Sequence, residues 1–121
     1  MECITTKDKK IKGSEPTDRE KQFADNVQKQ VYDVVKEYEG YNRGVKSDKE
    51  ATKNPDSKDP KRREGIRTGV LKHEENGNTD GCLCEIGYID DKDFEAKLKD
   101  DKFLDKIAEA MKQAILDSII P

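Results

Sequence analysis

Residues 81–90 read GCLCEIGYID, an apolar run that ends in a polar turn. Short apolar runs bounded by turn residues are typical of buried strands. This run carries one carboxylate, that of Glu85, with apolar neighbours on both sides. Because a buried carboxylate is costly unless it is paired, bound to a metal or used in chemistry, Glu85 is the first candidate functional residue.

The composition limits the size of the core and the class of partner. Of 121 residues, 31% are hydrophobic and 42% are charged, which predicts one domain with a small core and long solvated segments. The net charge is -3 with both signs interspersed, so we expect neither nucleic acid nor membrane as a partner. Residues 1–12 are polar and lack the apolar centre of a signal peptide, and no apolar run is long enough to cross a membrane.

Two long amphipathic helices are predicted, one on each side of the central segments. Residues 17–20, Thr-Asp-Arg-Glu, have the form of a capping box, and apolar residues recur at helical spacing from there to Tyr38, with Gly40 as a stop signal. A short helix capped by Asp90 or Asp91 comes later. The last helix carries an apolar stripe made of Phe103, Ile107, Met111, Ala114, Ile115 and Ile119.

The remaining segments alternate between strands and loops. Short strands are predicted near residues 3–6 and 65–73, in addition to the strand at 81–89. Residues 47–64 are polar and contain two prolines, so we expect an exposed loop in which the basic run at 61–63 is solvated. This order of elements predicts an α/β fold with a small central sheet flanked by helices.

The three cysteines, Cys3, Cys82 and Cys84, are too few for a disulfide scaffold. Cys82 and Cys84 lie two apart on a predicted strand, so both side chains point to one face. They are interpreted as small core residues. A zinc site formed with His73, the only histidine, is the alternative, although no fourth ligand is evident.

Three segments carry a family resemblance: an amphipathic helix that runs into NRGVK at residues 42–46, VLK at residues 70–72, and LCEIGYI at residues 83–89. In this order, and followed by paired helices, they resemble the C-terminal half of the catalytic domain of zinc-dependent N-acetylmuramoyl-L-alanine amidases of the amidase_3 type. These enzymes cut the bond between muramic acid and the stem peptide of peptidoglycan. The resemblance covers residues 17–119.

The resemblance implies a single, partial amidase-like domain over residues 1–121, with a polar insertion at about 47–64. The expected fold is that of an incomplete domain of the phosphorylase/hydrolase-like type. Peptidoglycan is the implied partner, and the cell wall or the extracellular space is the implied location. An incomplete sheet would leave an exposed edge, so self-association through that edge is also expected.

By resemblance, Glu85 is the catalytic general base and zinc is the cofactor. The family binds zinc through two histidines and one glutamate, and no residues of this chain match those ligands by position. We therefore expect the chain alone to be inactive. The alternative function is a non-catalytic, degenerate amidase domain that binds cell-wall fragments or a protein partner.

Two interpretations are open for the polar residues around Glu85. The carboxylate either performs chemistry or is a buried acid paired with Arg43 or Lys46. Asn42, Arg43 and Lys46 either line the rim of the substrate groove or belong to a helix-to-strand turn in which Gly44 is needed for its backbone freedom.

Overall fold

The computed structural model describes residues 1–7, 15–38, 40–77, 79–88 and 90–119. Three short strands form its sheet: β1 (Glu2–Thr5), β2 (Val45–Ser47) and β3 (Leu83–Glu85). The strand order is β2-β1-β3, with β1 parallel to β2 and antiparallel to β3. The two outer strands therefore come from segments far apart in the sequence, and β1 joins them.

Six α-helices accompany the described sheet: α1 (Asp18–Val35), α2 (Asp48–Thr52), α3 (Pro60–Glu64), α4 (His73–Asn76), α5 (Lys92–Lys97) and α6 (Asp101–Ile119). A 3-10 turn spans Gly69–Leu71. This arrangement confirms the predicted α/β class with a small sheet and flanking helices. Within the described ranges, none of the helices combines the length and apolarity that a membrane span requires.

The core lies between the sheet and the pair α1 and α6. The buried apolar residues of α1 recur at three- and four-residue steps: Ala24, Val27, Val31 and Val35. The predicted stripe also included Phe23, Val34 and Tyr38, which are only partly buried against this core. Phe94 of α5 and Phe103 of α6 meet edge to face with ring centroids 6.3 Å apart. Cys3 of β1 closes this core from the sheet side.

The stripe predicted on α6 is only partly covered. Phe103, Ile107 and Ala114 are buried, whereas Ile115 is 47% exposed and Ile119 is 68% exposed. The helix reaches Ile119 as the apolar spacing predicts. Its packing against α1 leaves the C-terminal part of the stripe partly exposed.

The N-terminus of α1 follows one half of the predicted capping box. Thr17 accepts a hydrogen bond from the backbone N–H of Glu20 at 3.0 Å. The Glu20 side chain does not return to the cap. It is buried, where Oε2 lies 2.9 Å from Nε2 of His73 and accepts a hydrogen bond from the N–H of Gly81 at 3.2 Å. Glu20 thus ties α1 to α4 and to the segment that leads into β3.

The predicted strand at residues 65–73 is wrong. The 3-10 turn and the start of α4 occupy this segment. The N–H of Thr68 donates to Oδ2 of Asp48 at 2.8 Å, and the N–H of Leu71 donates to the carbonyl of Thr68 at 3.0 Å. Each backbone N–H makes one hydrogen bond, so the N–H groups of Thr68 and Leu71 cannot also donate to a neighbouring strand.

Residues 47–64 are exposed as predicted for most of their length, but they are not a loop. Ser47 and Glu50 form a reciprocal capping box at the start of α2. Asp59 caps α3, and Pro60 occupies its first turn, where a missing N–H costs nothing. The basic run at 61–63 lies on α3, which has no buried residue.

β3 is shorter and more exposed than predicted. Leu83 and Glu85 are exposed, whereas Cys84 is half-buried. Cys82, Cys84 and Ile86 pack against the core, so alternate residues face inward. Only one face of this strand is covered, so the prediction of a buried strand was wrong for the face that carries Leu83 and Glu85. Ile89, the end of the predicted strand, lies outside the described residues.

Candidate functional site

The register of the sheet places two carboxylates side by side. Glu2 of β1 is paired with Glu85 of β3. Directly opposed residues on antiparallel strands project to the same face, with Cβ atoms about 5 Å apart. Since successive residues alternate in direction, this is the face opposite to that of Cys3 and Cys84. Like charges in this arrangement repel each other, so compensating cations are needed nearby.

Lys46 and Arg43 supply those cations, and both lie next to the carboxylate of Glu2. Glu2 is only 7% exposed. Its Oε2 lies 3.1 Å from Nζ of Lys46 and 4.0 Å from Nε of Arg43. The alternative in which Arg43 or Lys46 pairs with a buried Glu85 was therefore wrong. The buried acid that these two cations contact is Glu2, and Glu85 is exposed.

Backbone contacts hold the two cations at this position. Lys46 is paired with Ile4 in the register of β1 and β2. The N–H of Arg43 donates to the carbonyl of Met1 at 2.9 Å. The guanidinium of Arg43 donates to the hydroxyl of Tyr88, and its Cζ lies 5.7 Å from the centroid of that ring. Arg43 therefore links the turn before β2 to the segment after β3.

These side chains enclose a cavity of about 60 Å³, lined by Met1, Glu2, Arg43, Glu85, Gly87 and Tyr88. This volume holds roughly two water molecules and is far below that of a small-molecule pocket. Glu85 and Tyr88 are exposed at the cavity, whereas Glu2 is buried. The cavity is therefore a shallow surface cleft, too small to enclose a small-molecule ligand.

Gly87 sets the path of the chain after β3. A Cβ at this position would lie 2.5 Å from the ring of Phe94, which is itself buried in the core. The absence of a side chain lets the backbone lie directly on Phe94. This close approach places Tyr88 beside Arg43.

Asn42, the fourth predicted site residue, makes its hydrogen bonds outside this cleft. Its Oδ1 accepts hydrogen bonds from Nε2 of Gln28 at 2.7 Å and from the N–H of Gly44 at 2.9 Å. Gly44 has a φ of 74°, a conformation that favours glycine. Asn42 therefore fits the turn interpretation. Glu85, Arg43 and Lys46 come together, whereas Asn42 lines a depression beside α1.

Sequence reasoning missed Glu2 and Tyr88. Glu2 is the charged residue in the short apolar run at 1–4, and this was its only signal in the sequence. Its role depends on a register between strands about 80 residues apart, which local patterns do not specify. Tyr88 belongs to the quoted run at 81–90, but its pairing with Arg43 follows only from the fold.

The alternative zinc site falls into two separate clusters. His73 lies against Glu20, whereas Cys82 and Cys84 lie beside Cys3. Across residues 1–7, 15–38, 40–77, 79–88 and 90–119, no three His, Cys, Asp or Glu side chains are placed to hold a metal ion. The zinc ion implied by the resemblance does not fit the described residues.

The cysteine cluster perturbs the acidity of its members. Hydrogen bonding with Cys82 and Cys84, reinforced by burial, raises the pKa of the Cys3 thiol far above its usual value. Hydrogen bonding with Cys3 lowers the pKa of Cys82 and of Cys84. The two half-buried thiols are therefore the more easily ionised members of the cluster.

A comparison with protein families gives one finding. The family model Amidase_3, described as N-acetylmuramoyl-L-alanine amidase, matches residues 5–117. The match includes Arg43, Lys46 and Glu85 and begins after Glu2. Searches of curated proteins and of solved structures found no match.

Proposed function

Because the chain belongs to the N-acetylmuramoyl-L-alanine amidase family, we propose that it acts on peptidoglycan at the bond between muramic acid and L-alanine, with Glu85 as the catalytic carboxylate. The observation that supports this role is the position of Glu85. It is an exposed acid on a short strand, beside a cleft bordered by Arg43 and Tyr88. A bulky wall polymer can reach such a residue without entering an enclosed pocket. The implied place of action is the cell wall.

Amide hydrolysis needs one proton removed and one proton delivered. Water attacks the amide carbonyl and loses a proton, and the leaving amine of L-alanine gains one. A carboxylate within reach of both atoms performs both transfers in turn, so Glu85 accepts the proton from water and returns it to the amine. Arg43 and Lys46, each half-exposed, contact carboxylates of the stem peptide at the rim.

The family's zinc ion supplies Lewis-acid chemistry where it is bound. The described residues offer no group that would hold it, so the steps above are assigned to side chains of this chain only. We expect the 121 residues by themselves neither to retain zinc nor to hydrolyse peptidoglycan. Hydrolysis requires metal ligands that the described residues do not supply.

The lack of a metal-holding group among the described residues favours a second candidate function. A domain with the cationic rim but without a metal-holding group among its described residues can bind wall fragments without cutting them. Under this function Glu85 contributes to binding or to the surface of the sheet. The two candidates agree on the ligand and differ in whether Glu85 transfers protons.

Hydrolysis assays separate the candidates. The chain alone, supplemented with zinc, is incubated with purified peptidoglycan, and we expect no release of free stem peptides. The chain is then fused behind the metal-binding half of an active family member. This fusion should release stem peptides, and Glu85→Gln should lower its rate by about 100-fold or more, since general acid–base catalysis contributes at least that much. Glu109→Gln on the exposed face of α6 serves as the control.

Three outcomes would change these conclusions. A fusion in which Glu85→Gln is fully active would show that Glu85 is not catalytic. A folded, wall-binding fusion without activity would favour the binding module. Release of stem peptides by the chain alone would contradict its expected inactivity.

A further inference from the structure

All three cysteines meet in the fold although they come from distant parts of the sequence. Cys3 of β1 is paired with Cys84 of β3 in the antiparallel register. Cys82 lies two residues before Cys84, and both pack against the core on the side where Cys3 is buried. All three thiols are free. The fold therefore places the thiols of Cys3 and Cys84 opposite each other on neighbouring strands.

The three cysteines differ in how far they are exposed to solvent. Cys3 is fully buried, whereas Cys82 and Cys84 are half-buried near the outer strand of the described sheet. A soluble reagent therefore reaches Cys82 or Cys84 before Cys3. The same two thiols have a lowered pKa because they are hydrogen-bonded with Cys3, so they supply thiolate more readily.

We propose that Cys3, Cys82 and Cys84 form a thiol redox site that small disulfide compounds oxidise, and that its oxidised form is a Cys3–Cys84 disulfide. Directly opposed residues on antiparallel strands have Cα atoms about 4.5 to 5.5 Å apart, within the range that a disulfide spans. Residues two apart on one extended strand are separated by about 6.6 Å, near the upper end of that range. The geometry therefore favours the cross-strand pair over Cys82–Cys84.

The oxidation has two balanced steps. The Cys84 thiolate attacks one sulfur of a small disulfide such as oxidised glutathione, which forms a mixed disulfide and releases one thiolate. Cys3 then passes its proton to the first released thiolate and attacks Sγ of Cys84, which closes the protein disulfide and releases the second thiolate. The two cysteines lose two electrons, and the small disulfide gains them. Cys82 remains a thiol.

The disulfide would join residues that flank the carboxylate pair. Cys3 follows Glu2 and Cys84 precedes Glu85 in the sequence. The bond would fix β1 against β3 and so fix the distance between the two acids. It would also close a loop of about 80 residues, which restricts the unfolded chain strongly. This site is independent of peptidoglycan hydrolysis, so its test does not depend on the proposed function.

The test uses the full chain and oxidised glutathione as the oxidant. We expect the intact mass to fall by two hydrogens and the melting temperature to rise by on the order of 10 °C. The tryptic peptide that contains Cys3 should be linked to the peptide that contains both Cys82 and Cys84. Because that second peptide holds two cysteines, Cys82→Ser is the deciding variant. It should form the disulfide as the parent does, and Cys84→Ser should not.

Other products would overturn the proposal. These are a disulfide between Cys82 and Cys84, disulfide-linked dimers, a mixed disulfide that never resolves, or a Cys82→Ser variant that stays reduced. Cys3→Ala is a supporting variant only, because Cys3 lies in the core and its loss can unfold the chain. Cys82→Ser keeps both reacting thiols, Cys3 and Cys84, and changes only a half-buried position. This variant therefore tests the Cys3–Cys84 disulfide without the need for Cys3→Ala.

Discussion

At the scale of single residues, burial and charge are distributed differently from what the sequence predicts. The run at 81–90 predicts a buried acid at Glu85, yet Glu85 is exposed and its neighbour across the sheet, Glu2, is buried. The sequence shows which residues are apolar, but it does not show whether one or both faces of a strand are covered. The type of residue at the site was predictable, whereas its partner across the sheet was not.

Gly87→Ala tests whether close packing on Phe94 positions the site. The added Cβ would lie 2.5 Å from a buried ring, so we expect a loss of about 1–3 kcal/mol in the free energy of unfolding. Gly40→Ala is the matched control, since nothing lies within 4 Å of its added Cβ. Urea unfolding of both variants measures the difference. Equal stabilities would show that Phe94 does not constrain this turn.

His73→Ala tests the buried pair that ties α1 to α4. The substitution leaves the Glu20 carboxylate buried without its imidazole partner, which we expect to cost about 3 kcal/mol. The same substitution in a Glu20→Gln background should cost less, because no charge is then left behind. Denaturant unfolding of the four proteins gives the coupling energy. Additive effects would contradict a direct interaction.

The thiol cluster predicts a specific pH dependence of alkylation. Thiolate is the reactive form, and the pKa of Cys84 is lowered by hydrogen bonding with Cys3. Alkylation of Cys84 by iodoacetamide should therefore rise at a lower pH in the folded chain than in urea. Cys3→Ala should move that rise to higher pH. A profile identical in the folded and unfolded chains would contradict the cluster.

At the scale of elements, amphipathic spacing predicted the long helices and failed for the short segments. The stripe of α1 faces the core as predicted, because eighteen residues give the period enough repeats to be distinguished. Residues 65–73 have strand-forming composition, but Asp48 captures the N–H of Thr68 and the segment turns instead. A hydrogen bond from a residue 20 positions away carries no local signal in the sequence.

Gly65→Ala tests how residues 47–64 fold back on themselves. Gly65 has a φ of 94°, and its added Cβ would clash with the carbonyl oxygen of Lys49. Gly44 also has a positive φ, of 74°, but its added Cβ meets nothing within 4 Å. Gly44→Ala should therefore cost about 1 kcal/mol from backbone strain, and Gly65→Ala should cost clearly more. Thermal unfolding compares them, and equal costs would contradict the clash.

At the scale of the whole molecule, the site is assembled from three distant segments. β1 contributes Glu2, the turn before β2 and β2 itself contribute Arg43 and Lys46, and the segment around β3 contributes Glu85 and Tyr88. The family resemblance anticipated two of these segments through their motifs. The contribution of β1 lies before the matched range and became visible only in the sheet order.

Cosedimentation with purified peptidoglycan tests whether this cleft is the surface that binds the polymer. The double variant Arg43→Ala with Lys46→Ala removes two charges at the cleft, and Lys61→Ala with Arg62→Ala removes the same charge from exposed α3. We predict that the parent and the α3 variant bind equally and that the cleft variant binds at least about tenfold more weakly, as expected for the loss of two charge-assisted contacts. Equal binding by all three proteins, or weaker binding by the α3 variant alone, would show that the cleft is not the binding surface.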